Sequence, residues 1–247
     1  MRKTALTCIL ALLLSGVSGA PSETTGLAPH TRAQLRAPNT TTLAAGLAGR
    51  IDRLPVRLGQ ALRRGALVAS FDCRLEKAER AVAQAKLGAA EAKLEVNRRL
   101  AELDNISPLE LTLSSAEVDV AKAKLQSAQA KLQPCRVTAP FDGIVTQRPA
   151  QPFAYVTKGD PLIELVATDD LGVEMVLPST WLPRLEPGQR FILRLDEAAQ
   201  PVTAQIDRVV GRIDPVSQTV RVLGELIDTG GQRLLPGMSG GIEFMDR

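Results

Sequence analysis

Residues 73–135, CRLEKAERAVAQAKLGAAEAKLEVNRRLAELDNISPLELTLSSAEVDVAKAKLQSAQAKLQPC, decide how the rest of the chain is read. Leu75, Ala78, Val82, Ala85, Ala89, Ala92, Val96, Arg99 and Leu103 recur at 3,4 spacing, broken by one charge. After a short break, Leu111, Ser114, Val118, Ala121, Leu125, Ala128 and Leu132 resume the same spacing. Sustained heptads on two helices joined by a few residues predict an antiparallel coiled-coil hairpin.

The punctuation agrees with that reading. Ser107-Pro108-Leu109-Glu110 supplies an N-cap serine, a proline at the first helical position and a glutamate three residues on. That is the arrangement that satisfies the orphan amides of a helix start. Pro134 closes the second helix. At 1.5 Å per residue the first helix runs roughly 43 Å, far beyond an ordinary globular helix, so the hairpin projects. Its seam is alanine-rich, which permits close backbone approach but buries little area. A second stripe, Leu87, Leu94 and Ala101, lies off this seam. It admits two readings, packing within the hairpin or lateral contact between subunits.

The flanks of the hairpin resemble one another. Gly49-Arg-Ile51 aligns with Gly143-Ile-Val145 at an offset of 94 residues, and under that offset Pro55 meets Pro149, Gly65 meets Gly159 and Val68 meets Leu162. An internal repeat explains this best. Each half is too small to bury a face alone, so the two halves are expected to pack as one pseudo-symmetric β-sandwich with the hairpin inserted between them. Cys73 precedes the first helix and Cys135 follows the second, positions that an antiparallel hairpin brings together at its base. A disulfide there fits, and so do two buried thiols acting as small hydrophobes. Neither cysteine lies in a C-x-x-C arrangement, which argues against a redox-active pair. Lys77 and Lys86 fall in the helical pattern and read as solvated helix-face residues.

Composition narrows the function. The 247 residues hold one His, three Cys and seven aromatics (five Phe, one Trp, one Tyr), with a formal charge of +3. That leaves little for a zinc, haem or iron–sulfur site, for a base-stacking platform or for a phosphate-tracking surface; no catalysis, cofactor, metal or nucleic acid is expected. Residues 1–20 (MRKTALTCILALLLSGVSGA) read as a signal peptide, with Arg2 and Lys3, an apolar run, and a small-residue cleavage zone favouring cleavage after Gly19. No cysteine follows that run to take a lipid. Removing the leader removes Cys8 and leaves Cys73 and Cys135 as an even pair in an oxidising setting. Residues 21–42, which include the only histidine, His30, are rich in Thr, Pro, Ala and Ser and read as a flexible arm.

After the second half of the repeat, apolar runs at Leu171–Leu177, Arg190–Leu195, Val202–Val210, Thr219–Ile227 and Gly240–Phe244 alternate with Pro, Gly and Asp turns. These predict a small β-barrel, with residues 178–185 as a short helix capping one end and Trp181 as packing, a partner hot spot being the alternative. Met175, Met238 and Met245 have no His or Cys companions, so copper or silver binding has no support.

Residues 45–72 and 137–168 resemble the split lipoyl-like domain of the periplasmic adaptor, or membrane fusion, proteins of the HlyD and efflux-adaptor type. Ala139-Pro140-Phe141-Asp142-Gly143 is the most specific phrase. Leu185-Glu-Pro-Gly-Gln189, Asp214-Pro-Val-Ser-Gln-Thr-Val220 and Leu235-Pro-Gly-Met238 are similar to that family's β-barrel. The expected organisation is mixed α and β and elongated: signal peptide 1–20, arm 21–42, split lipoyl-like sandwich 43–72 plus 136–168, hairpin 73–135 and barrel 169–247. No membrane-proximal domain is expected. The resemblance implies a periplasmic adaptor in the cell envelope, bridging an inner-membrane transporter of the RND or ABC class and an outer-membrane channel, commonly as a hexamer, with transmembrane transport as the process served. It also implies partner contacts at the hairpin tip, where Arg99, Leu103, Asn105, Ile106 and Ser107 are the residues available. An envelope scaffold built on the same hairpin and barrel, without transport, is the alternative.

Overall fold

The computed structural model describes residues 31–245. The expected signal peptide at 1–20 and residues 21–30 of the arm, His30 among them, lie outside the described residues. In chain order the elements are β1 (Arg32–Arg36), β2 (Thr40–Ala44), β3 (Gly49–Arg53), β4 (Ala61–Leu62), β5 (Leu67–Phe71), α1 (Arg74–Glu102), α2 (Pro108–Leu132) and β6 (Arg136–Thr138). There follow β7 (Gly143–Gln147), β8 (Tyr155–Val156), β9 (Pro161–Val166), β10 (Gly172–Pro178), β11 (Arg190–Leu195), β12 (Val202–Asp214), β13 (Thr219–Asp228) and β14 (Ser239–Phe244).

The repeat emerges strand for strand. β3 and β7, β4 and β8, and β5 and β9 each begin 94 residues apart. They build two four-stranded sheets, β2-β9-β7-β4 and β6-β5-β3-β8. The short strand of each half pairs with the long strand of the other, β4 with β7 and β8 with β3, so neither half closes without its mate. The core between them holds Ile51, Val56, Val68, Val145, Leu162, Ile163 and Leu165. Gly65 and Gly159 are equivalent under the repeat and both take positive φ, 82° and 97°, a turn conformation that costs a side chain strain. The repeat also pairs Gly59 (φ 76°) with Phe153 (φ 66°), so the second half holds an exposed aromatic where the first uses glycine.

The barrel corrects one expectation. Its strands close in the order β1-β10-β13-β12-β11-β14. β1 thus comes from residues 32–36, inside the segment 21–42 read as a flexible arm, and β2 claims residues 40–42 for the sandwich. In RAQLR, Ala33 and Leu35 point into the barrel core while Arg32, Gln34 and Arg36 face out. A five-residue alternation beside Thr and Pro is too weak to read locally, because its hydrogen bonds come from β10 and β14, far along the chain. Residues 179–184 form a 3-10 helix whose Trp181 meets Phe244 edge-on at 6.1 Å, with the Arg184 guanidinium 5.6 Å from its ring centre. Trp181 packs against the barrel core, as read.

A second correction concerns the hairpin. The seam of α2 is the one read from its spacing: Ser114, Val118, Ala121, Leu125 and Ala128 are buried. On α1 the buried residues are Ala83, Leu87, Leu94 and Asn97, with Ala90 packed against them, so the second stripe is the inner seam. The stripe read as the seam faces outward, with Leu75, Val82 and Val96 at 69%, 55% and 56% exposure. Both stripes have 3,4 spacing, so periodicity cannot choose between them. Side-chain volume can: Leu87 and Leu94 fill the space opposite Val118 and Leu125, whereas the alanines of the other stripe would leave it empty.

Ion pairs fix the register across the hairpin, Lys131 to Glu79 at 2.8 Å and Lys93 to Glu117 at 3.0 Å. Asn97 sits in the seam with its Nδ2 unpartnered and buried. Asn97→Leu is expected to stabilise the hairpin by about 1–2 kcal/mol, because an unmet buried donor is replaced by apolar contact. Helicity followed by circular dichroism through a denaturant titration checks this; a lower midpoint would show that Asn97 is needed there.

Candidate functional site

The hairpin offers two places where chemistry gathers, its tip and its root. At the tip, α1 ends as the Leu103 and Asp104 N–H groups donate to the carbonyls of Leu100 and Ala101, and Asn105 N–H reaches the Leu100 carbonyl at 2.9 Å. Asp104 takes φ 57°, turning the chain. Ser107 Oγ then accepts the Glu110 N–H at 3.2 Å, capping α2 with Pro108 in its first turn. The five residues expected at the tip have different circumstances. Leu103 is 68% exposed, Asn105 is exposed and Ile106 is half-buried. Arg99 is held within its own helix by Glu95, at 3.0 Å. The Ser107 side chain is used by the cap.

Residues missed by sequence reasoning extend this surface. Leu100, Leu109 and Leu113 are exposed beside Leu103. The signal was present: Leu109, Leu113, Ala116, Val120, Ala123, Ser127 and Ala130 form a second 3,4 stripe on α2, all exposed. Each helix therefore has two such stripes. At 100° per residue their midlines lie about 160° apart, one toward the partner helix and one away from it.

At the root, Cys73 and Cys135 form a disulfide, with Cα atoms 6.1 Å apart and 62 residues of separation. It ties the first residue of the excursion to the last, and both cysteines are buried. Asp72 receives two hydrogen bonds from Arg74, each 2.9 Å, with Arg50 at 3.9 Å. The Arg74 guanidinium holds the Asp72 carboxyl below its ordinary value despite some opposing desolvation. Charge is divided along the hairpin. Residues 74–86 and 121–136 together carry eight Lys and Arg against two Glu, whereas 87–120 carry three against seven Asp and Glu, so the root attracts anions and the tip repels them. Among the described residues no helix is long and apolar enough to cross a membrane.

Solved structures share this architecture. A protein described as an efflux transporter from Bacteroides eggerthii is 25% identical, with a TM-score of 0.72, covering 87% of this chain and 67% of its own. A MacA–MexA chimera with the Pseudomonas aeruginosa MexA α-hairpin domain is 20% identical, TM-score 0.76, over 87% and 77%. A membrane fusion protein from Streptococcus pneumoniae is 15% identical, TM-score 0.72, over 87% and 98%. The chain has the fold of the membrane fusion, or periplasmic adaptor, proteins. No family model and no curated protein matches the sequence. The adaptor fold is thus legible here in the split sandwich, the inserted hairpin and the barrel.

Proposed function

We propose that the protein is a periplasmic adaptor subunit of a tripartite efflux or secretion system, bridging an inner-membrane transporter of the RND or ABC class and an outer-membrane channel. The observation that carries the reading is the double-faced hairpin. A helix with apolar stripes on opposite sides is built to sit between two neighbours in a row. The inner seam supplies one neighbour, and the outer stripe of α1 faces where α2 of a second copy would lie. Such a contact joins two different surfaces and repeats head to tail, which makes a ring when the rotation between copies closes, the arrangement proposed here. Small residues on both outer stripes allow close approach, and six copies is the number proposed from the family resemblance. The exposed leucines of the tip then form a rim for the channel, while the barrel lies at the opposite end of the assembly, toward the transporter.

In this reading the transporter supplies the energy. Photo-crosslinkers at Val96 and Leu103 in cells test the two contacts. Val96 is expected to couple to residues near Leu113 of a second copy, which stands at the same height along the hairpin. Leu103 is expected to couple to an outer-membrane protein, and deletion of residues 99–107 to abolish export. Export that survives the deletion, with the protein still folded, would remove the tip from the mechanism.

A further inference from the structure

We infer that the hairpin root is a binding site for a phosphate group. Beside the disulfide lies a recess of about 500 Å³, within the size range of small-molecule sites. Four cations line it, Arg53 from β3, Lys77 and Arg80 from the first turns of α1, and Arg136 from β6, against one carboxylate, Asp52. Arg53 pairs with Asp52 at 3.7 Å. Among the described residues, no carboxylate pairs with Lys77, Arg80 or Arg136. Glu79 is committed to Lys131, and Asp72 to Arg74 and Arg50. Glu76 lies beside the two sulfurs but does not line the recess.

Two elements distant in sequence, α1 and β6, thus line one concave space with cations that no carboxylate pairs, and β3 adds Arg53, already shared with Asp52. The disulfide fixes the geometry, because it fastens the start of α1 to the residue before β6. Like charges gathered without a partner repel one another, and an entering anion relieves that repulsion. Two guanidinium forks and an ammonium suit a tetrahedral oxyanion that accepts several hydrogen bonds at once, whereas a single carboxylate would leave donors unused. Phe71 and Leu132 line the same space, so an apolar substituent on the phosphate has a surface to rest on. The chemistry is that of a phosphate ester, whose source is either a free solute or a lipid headgroup. Lys77, read from periodicity as a solvated helix-face residue, becomes a ligand-facing one. This inference does not depend on the transport reading.

The test uses the full exported, disulfide-bonded protein. Isothermal titration with inorganic phosphate, against chloride at matched ionic strength, is expected to give a Kd below about 1 mM. The triple variant K77Q/R80Q/R136Q is expected to bind at least about tenfold more weakly, with K122Q, which lies outside the recess, unchanged. R136Q alone, on a strand, gives a smaller loss and guards against a misfolded triple variant. Flotation with vesicles of phosphatidylglycerol, compared with phosphatidylcholine, separates the sources: co-flotation lost in the triple variant assigns a lipid headgroup, and phosphate binding without flotation assigns a free solute. No heat with phosphate and no flotation, or equal binding by wild type and both variants, overturns the site.

Discussion

Gly240→Ala is expected to unfold the barrel. A Cβ at this position would lie 2.6 Å from the Arg194 carbonyl carbon, 2.7 Å from Leu195 Cα and closer still to the Arg194 carbonyl oxygen. All three atoms are backbone, so no side chain can swing aside. Gly240 is the residue of β14 that faces Leu195 of β11 and Ala33 of β1. Moving β11 away would break the ladder that closes the barrel and drag Leu193 and Leu195 from the core. Overpacking against immovable backbone places the cost above about 3 kcal/mol. Trp181 is the sole tryptophan and packs on Phe244 of the same strand, so its fluorescence reports the barrel directly. Gly241→Ala is the control: nothing lies within 4 Å of its Cβ, and a change within about 0.5 kcal/mol is expected. A Gly240→Ala protein whose Trp181 transition matched wild type would contradict the close approach.

Loss of the disulfide should have a comparably large effect on the sandwich. Cys73 and Cys135 close a loop of 62 residues, for which the chain-entropy treatment gives about 4 kcal/mol. The position amplifies the consequence. β5 ends at Phe71 and β6 begins at Arg136, and these strands pair, so the whole hairpin is an excursion between two neighbours in one sheet. Without the link, the unfolded chain regains the freedom of that excursion, while the folded state keeps its contacts. C73A/C135A is the suitable variant, because both sulfurs are buried and serine would add unmet hydroxyls. Guanidinium unfolding is expected to show a midpoint lowered by the equivalent of 3–4 kcal/mol, about the same as reduction of the wild-type protein. A shift below about 1 kcal/mol would mean that the paired strands and the hairpin seam already restrain the loop in the unfolded chain.

Much of the molecule was legible from local pattern. Ser107 and Pro108 mark the start of α2 through the hydrogen bond and the missing donor that any helix start requires. The offset of 94 residues carries over to the strands, because equivalent turns need equivalent glycines and prolines at equivalent places. The candidate site was legible only in part. Leu103 and Asn105 stand out at the tip, but Arg99 is engaged by Glu95 and Ser107 by its own helix, relations that depend on side-chain reach.

By itself, then, the sequence determined the hairpin, the capped turn, the paired halves of the sandwich and most barrel strands. Each of these depends on near neighbours, on a period, or on a repeat within the chain. Only the tertiary structure decided which stripe of α1 faces α2, that residues 32–36 close the barrel, and that Arg53, Lys77, Arg80 and Arg136 share one recess. The physical reason is common to all three. Two stripes of equal spacing are distinguished by the volumes standing opposite them, a short strand by distant hydrogen-bond partners on both sides, and a charge cluster by the meeting of β3, α1 and β6.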